Sequence, residues 1–118
     1  MKRILVIVLL LTTGMWALPV AHQVALTWTQ SASTDIDHDC VYRSQVSGVY
    51  TQANQLFCSA AGTPMTAYLD LTPKSGQTYF YVTTAVSKAG TESPFSNEVK
   101  TLIPQDVMPN TNLSEASQ

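Results

Sequence analysis

Apolar and polar side chains alternate along most of the chain after its first 21 residues. In residues 22–29, Val24, Leu26 and Trp28 fall on one face, which is the period-two pattern of a half-buried strand. The strongest signal is residues 78–86, which are dense in aromatic and β-branched side chains. The same reasoning predicts further strands at residues 40–43, 49–52, 66–69 and 97–103.

Turn residues separate these runs. Ser47 and Gly48 form a turn signal, residues 72–77 form a turn cluster, and a loop around Gly90 spans residues 87–94. Residues 30–38 are rich in Ser, Thr and Asp and are predicted to be a loop, and residues 53–64 are irregular. Short strands without helical periodicity predict an all-β, antiparallel, immunoglobulin-like sandwich of six to seven strands.

The two ends of the chain differ from this central domain. Residues 1–21 have a basic start at Lys2 and Arg3 and then an apolar run, which is typical of a secretory signal peptide. An uncleaved N-terminal membrane anchor is the alternative, because residues 4–21 are at the lower length limit for spanning a bilayer. The folded domain is assigned to residues 22–104, and the polar tail 105–118 is predicted to be disordered.

Charge narrows the class of partner. The chain has 6 Lys and Arg against 8 Asp and Glu, and two of the cations lie in the predicted signal. The mature part is therefore acidic and lacks a basic cluster, which argues against nucleic acid as a partner. Membrane contact is expected only if the N-terminal segment is retained as an anchor.

Two cysteines, Cys40 and Cys58, follow the predicted signal. In an oxidising compartment an even cysteine count favours one disulfide, and two free thiols are the alternative. Together with the signal, this pair predicts a secreted, periplasmic or cell-surface protein.

Candidate catalytic and metal-binding groups are few. The acidic run at residues 35–39 starts like a calcium loop, but Cys40 and Val46 stand where the motif needs glycine and glutamate. His22 and His38 are the only histidines, and no nucleophile elbow or glycine-rich phosphate loop occurs. We therefore expect no catalytic residues, no metal site and no cofactor, and the chain is not expected to be an enzyme.

The ordered segments ALTWTQS, VYRS, YLD, GQTYFYVTTAV and ESPFSNEV resemble a bacterial fibronectin type III domain over residues 22–104. The resemblance implies that Trp28 is the buried tryptophan of the second strand. It also implies that Tyr79 is the corner tyrosine, whose hydroxyl bonds backbone just upstream. The predicted core residues are Trp28, Leu26, Val41, Tyr79 and Tyr81.

Two positions depart from this family pattern. The stretch in which the family has its first strand belongs almost entirely to the predicted signal, so that strand is either absent or supplied by residues 18–23. An absent strand would leave one sheet edge open to pairing with another chain. Asp39 replaces an aromatic residue, and because a buried unpaired carboxylate is costly, it is expected in water near the end of the sheet.

The second face of the long strand is a possible contact surface. If Tyr79 and Tyr81 point inward, then Phe80 and Val82 point outward, and Tyr42 on the neighbouring strand joins them. Exposed aromatic residues there would mark an interface, whereas ordinary cross-strand packing is the alternative interpretation.

Three functions follow from this reading. The first is an exported binding or adhesion module for a protein or carbohydrate, which uses loops 30–38 and 87–94 or the outer face. The second is a structural spacer or assembly subunit that pairs through an open sheet edge. The third, which is disfavoured, is a secreted enzyme with an unrecognised site.

Overall fold

The structure is a computed structural model that describes residues 22–106. The predicted signal, residues 1–21, and most of the predicted tail, residues 107–118, lie outside the described residues. Within the described range no helix is long and apolar enough to cross a membrane. The strands are β1 (Val24–Thr27), β2 (Ile36–Ser44), β3 (Gln55–Cys58), β4 (Ala67–Asp70), β5 (Thr78–Ser87) and β6 (Val99–Leu102).

These strands form two antiparallel sheets, which confirms the predicted fold class. Over residues 22–106 the first sheet pairs β1 with β4, and the second has the order β3-β2-β5-β6. His22 and Gln23 precede β1 outside any strand. The alternative that residues 18–21 supply a first strand falls on residues outside the described range.

The central pair of the second sheet is β2 with β5, and both strands are long. Their ladder runs from Ile36 opposite Ser87 to Ser44 opposite Phe80. Because β2 already starts at Ile36, the prediction of a loop over residues 30–38 is wrong for residues 36–38. The dense β-branched and aromatic content of β5 gives β2 a continuous partner, and this extends pairing into the acidic segment.

The third predicted strand, at residues 49–52, is wrong. That stretch is a turn followed by a short 3-10 helix at Gln52–Asn54, and the strand comes after it as β3. Asn54 closes the turn: its N–H donates to the Thr51 carbonyl at 2.9 Å, and its side-chain oxygen accepts from the Thr51 N–H at 2.8 Å. Such local side-chain bonds compete with strand pairing.

The core lies between the sheets and is dominated by three aromatic side chains. Trp28, Tyr79 and Tyr81 are buried, and large aromatic side chains contribute most to the burial of apolar area. All five residues expected in the core lie in the same buried cluster, whose members are Val24, Leu26, Trp28, Val41, Tyr79, Tyr81 and Ile103. The Tyr79 hydroxyl accepts a hydrogen bond from the main-chain N–H of Lys74 at 3.0 Å, the upstream contact that the resemblance implies.

Asp39 lies at the centre of β2 opposite Ala85 and is fully buried, so the expectation that it sits in water is wrong. Its carboxylate accepts hydrogen bonds from the Gln30 side chain at 2.5 Å and from the main-chain N–H of Met65 at 3.0 Å. A buried carboxylate is tolerated when such donors replace water. Asp39 thereby holds loops 30–35 and 59–66 against the sheet.

Candidate functional site

A polar cleft of about 350 Å³ lies between the two loops that the sequence marked as a possible binding end. We call it the inter-loop cleft. One wall comes from residues 31–36 and the other from residues 85–93, so the predicted loops 30–38 and 87–94 do meet. The described residues that line it include no aromatic ring and no cation, while five of them carry hydroxyls: Ser31, Ser33, Ser87, Thr91 and Ser93.

Backbone hydrogen bonds hold these two loops in place. The N–H of Lys88 donates to the Asp35 carbonyl at 2.9 Å, which ties one wall of the cleft to the other. Within the second loop, the N–H of Ser87 donates to the Thr91 carbonyl at 2.9 Å, and the N–H of Thr91 donates to the Ser87 hydroxyl at 3.1 Å. The inter-loop cleft is therefore formed before any ligand arrives, which reduces the entropy cost of binding.

The hydroxyls of this cleft keep hydrogen-bonding capacity. A serine hydroxyl offers one donor and two acceptor positions. Ser31 and Ser87 each accept one bond from a backbone N–H of their own loop, so their donor capacity remains. With the Asp35 carboxylate as an acceptor nearby, the lining suits a neutral ligand with many hydroxyl or amide groups.

Tyr42 and Val82, two of the three residues of the possible contact face, are buried, which agrees with the alternative of ordinary cross-strand packing for these two residues. They belong to a second cluster on the outer side of the larger sheet, which also contains Cys40 and Val86. Phe80 is partly exposed. Whether this side of the sheet contacts a partner stays a prediction.

The cover over this cluster is the segment that leads into β6. The Phe95 ring packs edge-on against Tyr42 at 5.2 Å between centroids and lies 5.4 Å from Tyr50. Phe95 is itself 48% exposed, so it is the outermost ring on this side. The aromatic surface that the sequence indicated is therefore one layer further out than predicted.

Two serines attach this cover to β5 in place of a regular strand. Ser93 donates its N–H to the Ala85 carbonyl and accepts the Ala85 N–H on its hydroxyl, at 2.8 and 2.9 Å. Ser96 repeats the arrangement with Thr83, at 2.9 and 2.8 Å. Pro94 between them lacks an N–H, so the hydroxyls supply the bonds that a regular ladder would make.

Two carboxylates secure the same cover. Glu92 accepts hydrogen bonds from the Tyr42 and Thr84 hydroxyls, and burial together with Glu92 raises the pKa of Tyr42. Glu98 accepts from Ser47, Tyr50 and the Gly48 N–H, and these bonds lower the pKa of Glu98. The positive φ of Gly48, 77°, turns that N–H toward the carboxylate.

A second polar cleft, also of about 350 Å³, lies on the side of the domain where β2 ends and β5 begins. We call it the basic side cleft. Among the described residues its lining contains two cations and no carboxylate, and these residues are Arg43, Gln45, Lys74, Gln77 and Tyr79. Sequence reasoning missed it because Arg43 and Lys74 are 31 positions apart and only the fold brings them together.

Behind Arg43 lies a buried ionic network centred on Asp70. The Asp70 carboxylate accepts from the Tyr81 hydroxyl at 2.7 Å, from Arg43 Nη1 at 2.9 Å and from Thr72. Burial raises the pKa of Asp70, but the hydrogen bonds from Tyr81, Thr72 and Arg43 outweigh it and hold that pKa below its ordinary value. Burial is the main reason that the pKa of Tyr81 is raised, and the Asp70 carboxylate is the next.

The carboxylates of the acidic run at residues 35–39, which starts like a calcium loop, do not come together around one point. Asp37 bonds the His38 ring at 2.7 Å and the Gly62 N–H at 3.1 Å, and the His38 bond is the main reason that the pKa of Asp37 is lowered. Asp39 is fully buried, and its carboxylate is bonded to the Gln30 side chain and the Met65 N–H. Over residues 22–106 no group of three His, Cys, Asp or Glu side chains could hold a metal ion.

The predicted disulfide is confirmed. Cys40 and Cys58 are bonded across β2 and β3, where they are direct partners in the register. The bond joins an edge strand to the centre of the larger sheet.

No protein-family model matches the chain, and no curated protein sequence matches it. Among solved structures, it is similar to an Fn3-like protein from Clostridium thermocellum, with 31% identity over 72% of this chain and 80% of that one and a TM-score of 0.52. A human protein provides another similar structure, the 6th fibronectin type III domain of fibronectin type III domain containing protein 3, with 21% identity, coverage of 87% and 88% and a TM-score of 0.54. The pectate lyase PelI from Erwinia chrysanthemi, in complex with tetragalacturonic acid, gives 20% identity over 78% of this chain and 27% of that one, with a TM-score of 0.55.

Proposed function

Since the chain belongs to the fibronectin type III family, we propose that it is a non-catalytic binding module of an exported protein and that its ligand is a carbohydrate. Family membership defines the fold and leaves the function to the sites that the fold carries. The proposal therefore depends on the loops and clefts described above.

The observation that carries the proposal is the inter-loop cleft. Its hydroxyl-rich lining matches the hydrogen-bonding groups of a neutral sugar, and its braced loops match the need for preorganisation. Both histidines of the domain bond carboxylates, His22 with Asp106 and His38 with Asp37, instead of a candidate nucleophile. This arrangement supports binding without catalysis.

Several proteins of similar structure also support a carbohydrate as the ligand. They include a β-1,2-glucanase, pectate lyases and an exopolygalacturonase. The chain spans 13% of the glucanase and 20% of the exopolygalacturonase, so it corresponds to a small part of each. Modules of this fold thus occur in proteins that act on polysaccharides.

Export is supported by the Cys40–Cys58 disulfide, since such bonds persist in oxidising compartments. We expect mass analysis of the exported protein after alkylation under denaturing conditions to find no free thiol. Recovery of the protein with two alkylated cysteines would contradict the disulfide and remove this support for export.

Filling the inter-loop cleft is expected to abolish carbohydrate binding. Ala89 lines the cleft on an exposed turn, so Ala89→Trp places a large ring in the ligand space without disturbing the core. A screen of neutral glycans with the monomeric domain should identify a ligand first. Titration calorimetry should then show binding by the wild type and no measurable binding by Ala89→Trp.

The matched control is Ala61→Trp, because Ala61 is also an exposed alanine on a turn but lies outside the cleft. It should bind the glycan as the wild type does. Equal loss in both variants, or binding of a protein ligand and no glycan, would contradict the proposal. A stable oligomer in sedimentation that binds no glycan would favour an assembly subunit instead.

A further inference from the structure

We propose that the basic side cleft is a second, separate binding site and that it takes the carboxylate of an acidic sugar, such as a uronic acid residue in an oligosaccharide. The cleft lies beside the 72–77 turn, and the inter-loop cleft is built from other segments of the chain. Its chemistry also differs, because the inter-loop cleft contains no cation.

The basic side cleft is positively charged, whereas the domain as a whole is negatively charged. Residues 22–106 contain four Lys and Arg against seven Asp and Glu, and two of those four cations line this one cleft. Within residues 22–106 no carboxylate lies in the lining. A concave site with one sign of charge concentrates ligands of the opposite sign, even on a protein of opposite net charge.

Arg43 is held as a fixed wall of the cleft. Nη1 donates to Asp70 at 2.9 Å and to Thr72 at 2.7 Å, and the guanidinium carbon lies 4.7 Å from the centre of the Tyr79 ring. Both bonds leave from Nη1, a further contact joins the guanidinium to Tyr81, and 24% of the Arg43 side chain is still exposed, so a ligand can reach the guanidinium from the cleft. A rigid fork loses little entropy when it binds a planar carboxylate.

Lys74 supplies the uncompensated charge. Asp70 neutralises Arg43 from behind, whereas none of the ion pairs in the described part of the chain includes Lys74. The bond from its main-chain N–H to the Tyr79 hydroxyl fixes the backbone position of Lys74 at the rim. Its ammonium group can therefore reach a ligand without breaking an existing pair.

The remaining two side chains favour a sugar over a simple anion. Gln45 Nε2 donates to Gln77 Oε1 at 2.8 Å, so the two amides are aligned side by side. This leaves the Gln77 amide N–H groups as donors and the Gln45 carbonyl as an acceptor. Such a pair can bond neighbouring hydroxyls of a sugar ring while the cations bind its carboxylate.

The test uses oligogalacturonate as the probe and titration calorimetry at low ionic strength. We expect the wild type to bind it, and to bind the methyl-esterified oligomer, which has the same sugar chain without the charge, at least about fivefold more weakly. Lys74→Glu should weaken binding of the acidic form by about tenfold. Added salt should weaken binding in the same direction.

The matched control is Lys100→Glu, which makes the same change in net charge at an exposed position of β6 outside the cleft. It should weaken binding less than twofold. Arg43→Lys keeps the charge but removes the fork, and should weaken binding of a protein whose circular dichroism spectrum is unchanged.

Several results would overturn the proposal. Equal effects of Lys74→Glu and Lys100→Glu would show that only the overall field matters. Equal affinity for the acidic and esterified oligomers would show that the cleft does not recognise the carboxylate of the ligand. Equal affinity for polyglutamate would show that it does not recognise the sugar. If the wild type does not bind oligogalacturonate at millimolar concentration, the basic side cleft is not a binding site for it.

Discussion

Replacing Asp70 by alanine is expected to lower the free energy of unfolding by about 3 kcal/mol, at the lower end of the range for breaking a buried ion pair. The carboxylate is fully buried and accepts hydrogen bonds from three side chains, those of Arg43, Thr72 and Tyr81. Alanine leaves the Tyr81 hydroxyl without its acceptor and the guanidinium without its counter-ion, with the Thr72 hydroxyl as its remaining partner. The Arg43 side chain is 24% exposed and can be partly rehydrated, which keeps the loss from reaching the upper end of the range.

Urea denaturation of wild type and Asp70→Ala measures this difference directly. The control is Asp37→Ala, which removes a carboxylate that is hydrogen-bonded at the surface to His38 and should lower the stability much less than Asp70→Ala does. Equal losses in the two variants would contradict the central role of the network. The double variant Asp70→Leu with Arg43→Met should recover part of the stability, because it removes both charges together.

The same carboxylate makes stability depend on pH. The pKa of Asp70 in the folded protein is below its ordinary value of 3.8, so the unfolded chain takes up its proton first as the pH falls. The contribution is therefore complete above about pH 4–5 and is lost progressively at lower pH. Asp37 and Glu98, whose pKa values are also lowered, contribute with the same sign.

Unfolding curves between about pH 6 and pH 2 check this prediction. The wild type should lose stability steadily as the pH falls. Asp70→Asn should be less stable at neutral pH and should show a shallower decline, since one of the three carboxylates no longer titrates. A variant with an unchanged slope would contradict the assignment of acid sensitivity to Asp70.

Local alternation predicted much of this fold because burial in a two-layer sandwich depends on every second residue. Val24, Leu26 and Trp28 are buried in turn, and Tyr79 and Tyr81 face the same core from β5. Each of these segments carries its own signal, since its neighbours in sequence lie on the opposite face. Turn residues then separated the strands without knowledge of their partners.

Pairing between distant segments could not be predicted in this way. Residues 49–52 look like a strand, but the local Thr51–Asn54 bonds close a turn there. Asp39 looks like a surface residue because its compensating donors come from Gln30 and Met65, which are far from it in sequence. In the first case a local side-chain bond overrides the strand pattern, and in the second the deciding donors lie outside the window in which periodicity is measured.

The candidate sites show the same division. Serine, threonine and aspartate density marked loop 30–38 and Gly90 marked loop 87–94, so the involvement of both loops in the inter-loop cleft was predicted although their individual lining residues were not. For the outer face the sequence left exposure and packing open, because Phe95, which covers Tyr42, lies in a segment without strand periodicity. Arg43 and Lys74 had no local signal at all, and only the fold reveals the charge that they share.

Removing the disulfide is expected to lower the free energy of unfolding by about 3 kcal/mol. Cys40 and Cys58 are 18 positions apart, and a crosslink that closes a loop of this size restricts the unfolded chain. For a domain of this size the loss corresponds to a fall in Tm of roughly 12–24 °C. Thermal unfolding with and without reductant, or of the variant with both cysteines changed to alanine, measures the fall.

The position of the disulfide also predicts where the structure loosens. The bond lies on β3, an edge strand that is paired only with β2 within the described residues. In the reduced protein, hydrogen exchange should therefore increase most in β3 and in the 59–66 loop, and least in the centre of β5. As a control, reductant should leave the Tm of the double alanine variant unchanged. Uniform exchange along the chain, or a fall in Tm of only a few degrees, would mean that β3 is held by its ladder and that the crosslink is dispensable.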